Sequence, residues 1–211
     1  NIYREEHPRI AASQWVYDNI PPGATITGEF WDDVIPYPLP GEAGGQYPIV
    51  NTYPYDTDSV EKVYRLVYGE GPEADRWQQG LNGADYVAIT SNRVRDSVKR
   101  LEREYPATNR YYELLDSGEL GFELVAHFQV RPSFLGISVD DSGAEESFTV
   151  YDHPEVRIYR KTDAWDPERA ARLIAEAHPE RAVNLLPKQG STNGLLFTPE
   201  EAEVQQRGGT F

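Results

Sequence analysis

Two short polar clusters carry the residue types that site chemistry needs. Glu29, Trp31, Asp32 and Asp33 stand at or just beyond the end of ATITGEF (residues 24–30), and Ser91, Asn92 and Arg93 follow ADYVAIT (residues 84–90). Carboxylates accept hydrogen bonds, whereas serine, amide and guanidinium groups donate them. Together the clusters offer the mix of acceptors and donors that sugar hydroxyls take. Two of Glu29, Asp32 and Asp33 would also suit the acid and base roles of a glycosidase. Trp31, Tyr37, Tyr47, Tyr53 and Tyr55 add apolar ring faces for stacking.

The same residues have plainer uses. Asp33 and Asn92 are turn formers and helix caps, and Arg93 is a ready ion-pair partner for Asp32. Aromatic residues in a proline-rich loop commonly fasten that loop to the body of a domain. These structural roles weigh more at this point, since caps are many and binding sites few per protein.

The clusters can meet only if the strands before them are neighbours, because ligands in open α/β sheets collect beyond the carboxyl ends of parallel strands. The pattern supports that arrangement. An amphipathic helix is expected over residues 7–19, with Ile10, Ala11, Trp15 and Val16 inward, stopped by Pro21, Pro22 and Gly23. After the first strand, residues 35–56 hold five prolines and read as a long ordered loop or lid. Residues 58–69 read as a helix with Val60, Val63, Tyr64 and Val67 on one side. Ser91 and Asn92 open a helical segment over residues 94–104. Thr108 or Asn109 caps a further helix with Tyr111, Leu114 and Leu115 inward, and Gly118 ends it.

The alternating run from Phe122 to Phe128 then reads as a strand closed by Pro132. Residues 136–139 and 148–161 add strand, split by Asp152-His153-Pro154, and would join it in an antiparallel meander. Asp166-Pro167 starts a last helix with Ala170, Leu173, Ile174 and Ala177 inward. The expectation is one α/β domain over residues 1–182. Its mixed sheet is parallel in the first part, with an antiparallel hairpin extension, and is flanked by helices. Residues 183–211 read as an extended tail with a helical run over residues 199–207.

Composition removes several classes of function. Acidic residues number 35 against 20 basic ones, a formal charge of −15, which opposes nucleic-acid binding. Cysteine is absent, so no disulfide framework or thiolate metal site is possible. The four histidines His7, His127, His153 and His178 lack zinc spacing, and no metal is expected. GxSxG, Walker and GxGxxG motifs are absent, so no nucleophile elbow, nucleotide or dinucleotide cofactor is expected. No run approaches the roughly 18 apolar residues of a membrane span. Methionine is absent, even at position 1, which predicts that the chain is a segment of a longer product.

Four segments carry a family resemblance: AASQWVYDNIPPGATITGEFWDD, ADYVAITSNR, RYYELLDSGELGFELVAHFQVRPSFLGISVDD and EESFTVYDHPEVRIYRK. They resemble the soluble part of large bacterial and archaeal membrane proteins of the dolichyl-phosphate-mannose mannosyltransferase type, some fused to the YYY membrane region. The tail NLLPKQGSTNGLLFTPEEAEVQQRGGTF resembles the stretch that leads back toward membrane helices. The resemblance implies a polytopic parent that uses a polyprenyl-phosphate sugar, with its catalytic carboxylate in a membrane body this chain does not contain. No catalytic residue carries over. The implied role is an extracytoplasmic, membrane-tethered accessory domain, noncatalytic alone, that helps bind or orient a glycan or protein acceptor. Its implied partners are the membrane-embedded part of the same protein and a glycan or polyprenyl-phosphate sugar. A free-standing secreted glycoside hydrolase and a purely structural interaction module are the alternatives.

Overall fold

The computed structural model describes residues 2–70, 79–134, 137–141, 144 and 146–183. In chain order the main elements are α1 (Pro8–Asn19), β1 (Ile26–Glu29), β2 (Ile49–Thr52), α2 (Val60–Tyr68), α3 (Gly80–Gly83), β3 (Tyr86–Ile89), α4 (Arg93–Lys99), α5 (Pro106–Asp116), β4 (Phe122–Phe128), β5 (Ser133–Phe134), β6 (Ile137–Ser138), β7 (Val156–Lys161) and α6 (Pro167–Ala175). Five strands form a mixed sheet in the order β2-β1-β3-β7-β4. Strand β1 runs parallel to β2 and β3, while β7 runs antiparallel to β3 and β4. The chain is therefore an α/β fold with a parallel first part and an antiparallel extension.

Alternating side chains place apolar residues on both faces of the sheet. Val87 and Ile89 of β3 and Tyr159 of β7 pack with α2, α4, α5 and α6. Ala88, Val156 and Ile158 face the other way, onto Ala12 and Val16 of α1. Strand β4 serves both layers because it changes face partway. Phe122 packs with the larger helical cluster, the register slips between Leu124 and Ala126, and Ala126 and Phe128 then pack on the α1 side. One extra residue turns every later side chain over, so the simple alternation expected from Phe122 to Phe128 fails at Leu124, which is left exposed.

Residues 35–56 are not one loop. They contain β2, a four-residue edge strand paired with β1 from Ile26↔Ile49 to Glu29↔Thr52. Prolines at positions 48 and 54 bracket it, which is tolerable at a sheet edge and conceals so short a strand. The rest of the segment straps across α1. The Tyr47 hydroxyl donates to Ile20 O at 2.9 Å, that of Tyr17 to Tyr37 O at 3.1 Å, and the Tyr37 amide to Ser13 Oγ at 2.9 Å.

The inward faces of two helices differ from the periodic reading. Helix α1 buries Pro8, Arg9, Ala12, Ser13 and Val16, and leaves Ile10, Ala11 and Trp15 half-covered. Its polar inward residues are satisfied, since Ser13 Oγ donates to Arg9 O at 2.6 Å and Arg9 has carboxylate partners. Helix α2 buries Val63, Leu66 and Val67, while Val60 and Tyr64 face solvent. Helix α4 ends at Lys99, short of Glu104.

Helix α5 starts at Pro106, where a missing N–H costs nothing, so neither Thr108 nor Asn109 is its cap. Thr108 instead donates to Pro54 O at 2.5 Å, tying α5 to the end of the β2 segment. Tyr111, Tyr112, Leu114 and Leu115 are buried, and Gly118 follows the helix at φ 79°.

The expected meander is only partly formed. Residues 156–161 pair with β4, but β5 and β6 make a separate two-stranded ribbon, and Phe148–Asp152 is a π-helical turn. Residues 184–211, including the helical run expected over 199–207, lie outside the described residues. Among the described residues no helix is long and apolar enough to cross a membrane.

Candidate functional site

The two polar clusters do meet, at the carboxyl ends of β1 and β3. After Glu29 the chain turns tightly: the Phe30 amide still donates to Thr52 O at 3.0 Å, and the Asp32 amide donates back to Glu29 O at 3.1 Å. The third residue of that turn is Trp31, at φ 79°, a conformation usually reserved for glycine or asparagine. A bulky side chain there stores strain and is held by its surroundings. The result is an indole that is 65% exposed.

Trp31 does not stand alone. Its ring meets Phe30 edge to face at 5.0 Å, and Phe30 lies 5.0 Å from Tyr53 and 6.5 Å from Tyr55. Phe30 and Tyr53 are themselves exposed. The aromatic residues thus divide. Tyr47 fastens the strap to α1, whereas Phe30, Trp31 and Tyr53 form an outward platform at the carboxyl ends of β1 and β2.

Beside the platform a buried charge network fixes the turn. Arg9 of α1 reaches Asp32 at 2.7 Å and Asp33 at 2.9 Å, while its Nε donates to Thr90 O at 3.0 Å. One guanidinium therefore joins the turn after β1 to the end of β3. Asp32 also accepts from the Ser91 hydroxyl and from the Asp33 amide, the latter at 2.9 Å. Ser91 Oγ in turn accepts the Arg93 amide at 3.1 Å, at the start of α4. Asp33 is the outlying member, with its side chain 59% exposed.

Arg93 is not the ion-pair partner of Asp32. Its guanidinium donates to Trp31 O at 2.6 Å, to Glu146 at 3.2 Å and to the Tyr151 hydroxyl, and it lies 5.0 Å over the Tyr151 ring. It therefore secures the carbonyl of the strained residue. Asn92 makes no side-chain cap. Its amide donates to Asp96 at 2.6 Å, and its buried Oδ1 has no hydrogen-bond partner among the described residues.

Glu29 points inward. It is 4% exposed and accepts the Tyr112 hydroxyl at 3.0 and 3.1 Å. Burial pushes its carboxyl up to about 8; the Tyr112 hydrogen bond opposes the rise, the Asp32 charge adds to it and Arg95 opposes it. At neutral pH Glu29 is thus a protonated group packed under the site.

This arrangement is built to hold a shape. Asp32 is 3% exposed and its oxygens are engaged by Arg9 and Ser91, so Glu29 and Asp32 are both closed to substrate. Of the three carboxylates, Asp33 alone is open to solvent, and two-carboxylate acid–base chemistry lacks its second accessible member. What faces outward is an aromatic platform with an acceptor at its margin, which suits stacking and hydrogen bonding to a polyol.

Arg9 is the residue that the motif reading missed. The available signal was a charged residue three and seven positions before Ala12 and Val16, on the stripe that the helix buries. Glu146 and Tyr151 were missed too, because they reach Arg93 from more than fifty residues away. Among the described residues no group of three or more histidines or carboxylates is placed to hold a metal ion. Comparison with known proteins finds no matching family model, curated protein or solved structure.

Proposed function

We propose that this chain is a noncatalytic carbohydrate-binding domain, the extracytoplasmic accessory part of a membrane glycosyltransferase-like protein. Its task would be to hold a glycan, or the sugar of an acceptor, beside the membrane-embedded body. The observation that carries the binding reading is Trp31. A strained backbone, braced by Arg93 on its carbonyl and by the Arg9–Asp32 network next to it, keeps a large ring in water. Strain maintained at such a position is a mark of function. The tethering part rests on the four sequence segments described above.

A glycosidase role is less well supported, since Glu29 and Asp32 are buried and bonded inside the protein. Titration of the protein with neutral oligosaccharides and a short-chain polyprenyl-phosphate sugar, followed by tryptophan fluorescence and calorimetry, tests the proposal. Saturable binding that Trp31→Ala abolishes is the expected result. Absence of binding by every sugar would leave a scaffolding role.

A further inference from the structure

The charges around the aromatic platform do not balance. Arg9 serves both Asp32 and Asp33, so that trio keeps one net negative charge, and Asp33 is its exposed member. Lys62 is shared in the same way, at 2.5 Å from Asp56 and 2.9 Å from Asp58. Arg93, which donates to Trp31 O, is matched by Glu146. Glu29 does not count, because burial keeps it protonated at neutral pH. Among the described residues of the turn, its flanks and their ion partners, three cations thus meet five carboxylates. The next charges around α2, Arg65, Glu61 and Glu70, deepen the imbalance.

The carboxylates flank the rings themselves. Asp33 stands at the end of the turn that presents Trp31, and the Asp56 amide donates to Tyr53 O at 3.0 Å. Tyr55 links the rings to Asp56: burial raises its hydroxyl, a hydrogen bond from the Trp31 side chain opposes the rise, and the Asp56 charge adds to it. The rings are set at angles, Trp31 at 71° to Phe30 and Tyr53 at 34° to it, and all three are exposed. Such a surface sorts ligands by charge. Aromatic faces carry a negative potential that attracts cations, tryptophan most strongly. Carboxylates in excess of their cations add to that pull and repel phosphates and uronates. A neutral sugar can stack here but gains nothing from the field, whereas a sugar bearing an ammonium group gains from both.

We infer that the surface made by Phe30, Trp31 and Tyr53 between Asp33 and Asp56 recognises an amino sugar, whose ring stacks on Trp31 while its protonated amine is held between the aromatic faces and the flanking carboxylates. The inference rests on the carbohydrate-binding reading and adds to it the class of ligand, a cationic glycan.

The test uses three disaccharides of one skeleton, the free-amine dimer of glucosamine, its N-acetylated form and cellobiose, which differ only in carrying an ammonium, an acetamide or a hydroxyl group. They are titrated at pH 6 and low salt, by calorimetry and tryptophan fluorescence, into wild type, Trp31→Ala, Asp33→Asn and Asp56→Asn. Asp33 is exposed and Asp56→Asn leaves Lys62 its bond to Asp58, so both isosteric variants should fold, which a thermal melt checks. The free-amine dimer should bind about tenfold tighter than the two neutral sugars, an advantage that shrinks as salt is added. Asp33→Asn and Asp56→Asn should each lose part of that advantage and keep the neutral affinity, while Trp31→Ala loses binding of all three. Equal affinity for the three sugars, lost in Trp31→Ala, would overturn the amine preference and leave the platform standing. A preference that survives both asparagine variants would also overturn it, as an effect of net charge alone. Tighter binding of a dilysine peptide than of the free-amine dimer would overturn the sugar and give the surface to a protein partner. A wild-type protein that binds no sugar at all would overturn both readings.

Discussion

The Arg9 guanidinium lies 2.7 Å from the Asp32 carboxylate, and both side chains are 3% exposed. The two residues come from adjacent layers of the molecule: Arg9 projects from α1, and Asp32 follows β1 at the mouth of the sheet. A buried pair adds little net stability by itself, but removing one partner strands the other charge. Arg9→Met should therefore destabilise the fold by about 3–5 kcal/mol. Arg9→Met with Asp32→Asn should recover part of that loss, because the stranded charge is gone. Urea unfolding of the two single variants and the double one measures the coupling, and strict additivity would show that the pair does not act as a unit.

Glu29 predicts a stability that falls with rising pH. Its carboxyl is pushed by burial from 4.5 up to about 8, so between those values the native state holds a proton that the unfolded state has lost. Stability is then greatest below the unfolded value and is lost as pH rises through the folded one. Glu29→Gln, which keeps a neutral hydrogen-bonding group, should flatten the profile of urea midpoints between pH 5 and 9. Tyr112→Phe removes the one hydrogen bond that opposes the rise, so the native Glu29 carboxyl should titrate higher still, which carboxyl NMR would detect. Identical pH profiles for wild type and Glu29→Gln would contradict the assignment.

The position of the site was legible because it follows from strand direction. Two β-branched runs ending in polar clusters lie in one sheet and run parallel, so Asp32 and Ser91 meet although 59 residues separate them. The bracing was not legible. Arg9 touches Thr90 O across 81 residues, and that contact depends on how α1 crosses the sheet, which no local pattern encodes. Strand β2 was hidden by its length and its flanking prolines. The slip in β4 was hidden for a different reason: Leu124, Val125 and Ala126 each look ordinary in a strand, and only the register against β7 reveals the extra residue.

Gly28 is the point at which the turn is most easily broken. A Cβ added there would come within 2.3 Å of Val34 Cγ1 and 3.2 Å of Ile49 Cγ2. Valine is stiff at χ1, so relief requires the backbone after Asp33 to move. Gly28→Ala should cost about 1–3 kcal/mol, as overpacking does. It should also lower any sugar affinity, because Val34 lies three residues beyond Trp31. Hydrogen exchange should report faster opening of the Asp32 amide in this variant. Wild-type protection at Asp32 together with wild-type stability would show that the turn tolerates the methyl group.

Trp31 separates stability from binding. At φ 79° a non-glycine residue is strained by roughly 1–3 kcal/mol. Its 65% exposed ring recovers little of that through burial. Trp31→Gly relieves the strain but loosens the unfolded chain, an opposing term of about 0.4–1 kcal/mol. The variant should therefore be as stable as wild type or slightly more so, while losing sugar binding through the platform. Trp31→Ala should lose the same binding and keep the strain, so it should be the less stable of the two. Thermal melts and sugar titrations of both variants decide the matter. If Trp31→Gly proved the less stable, the indole would be acting as packing against Phe30, and the strained turn would lose its claim to be maintained for a ligand.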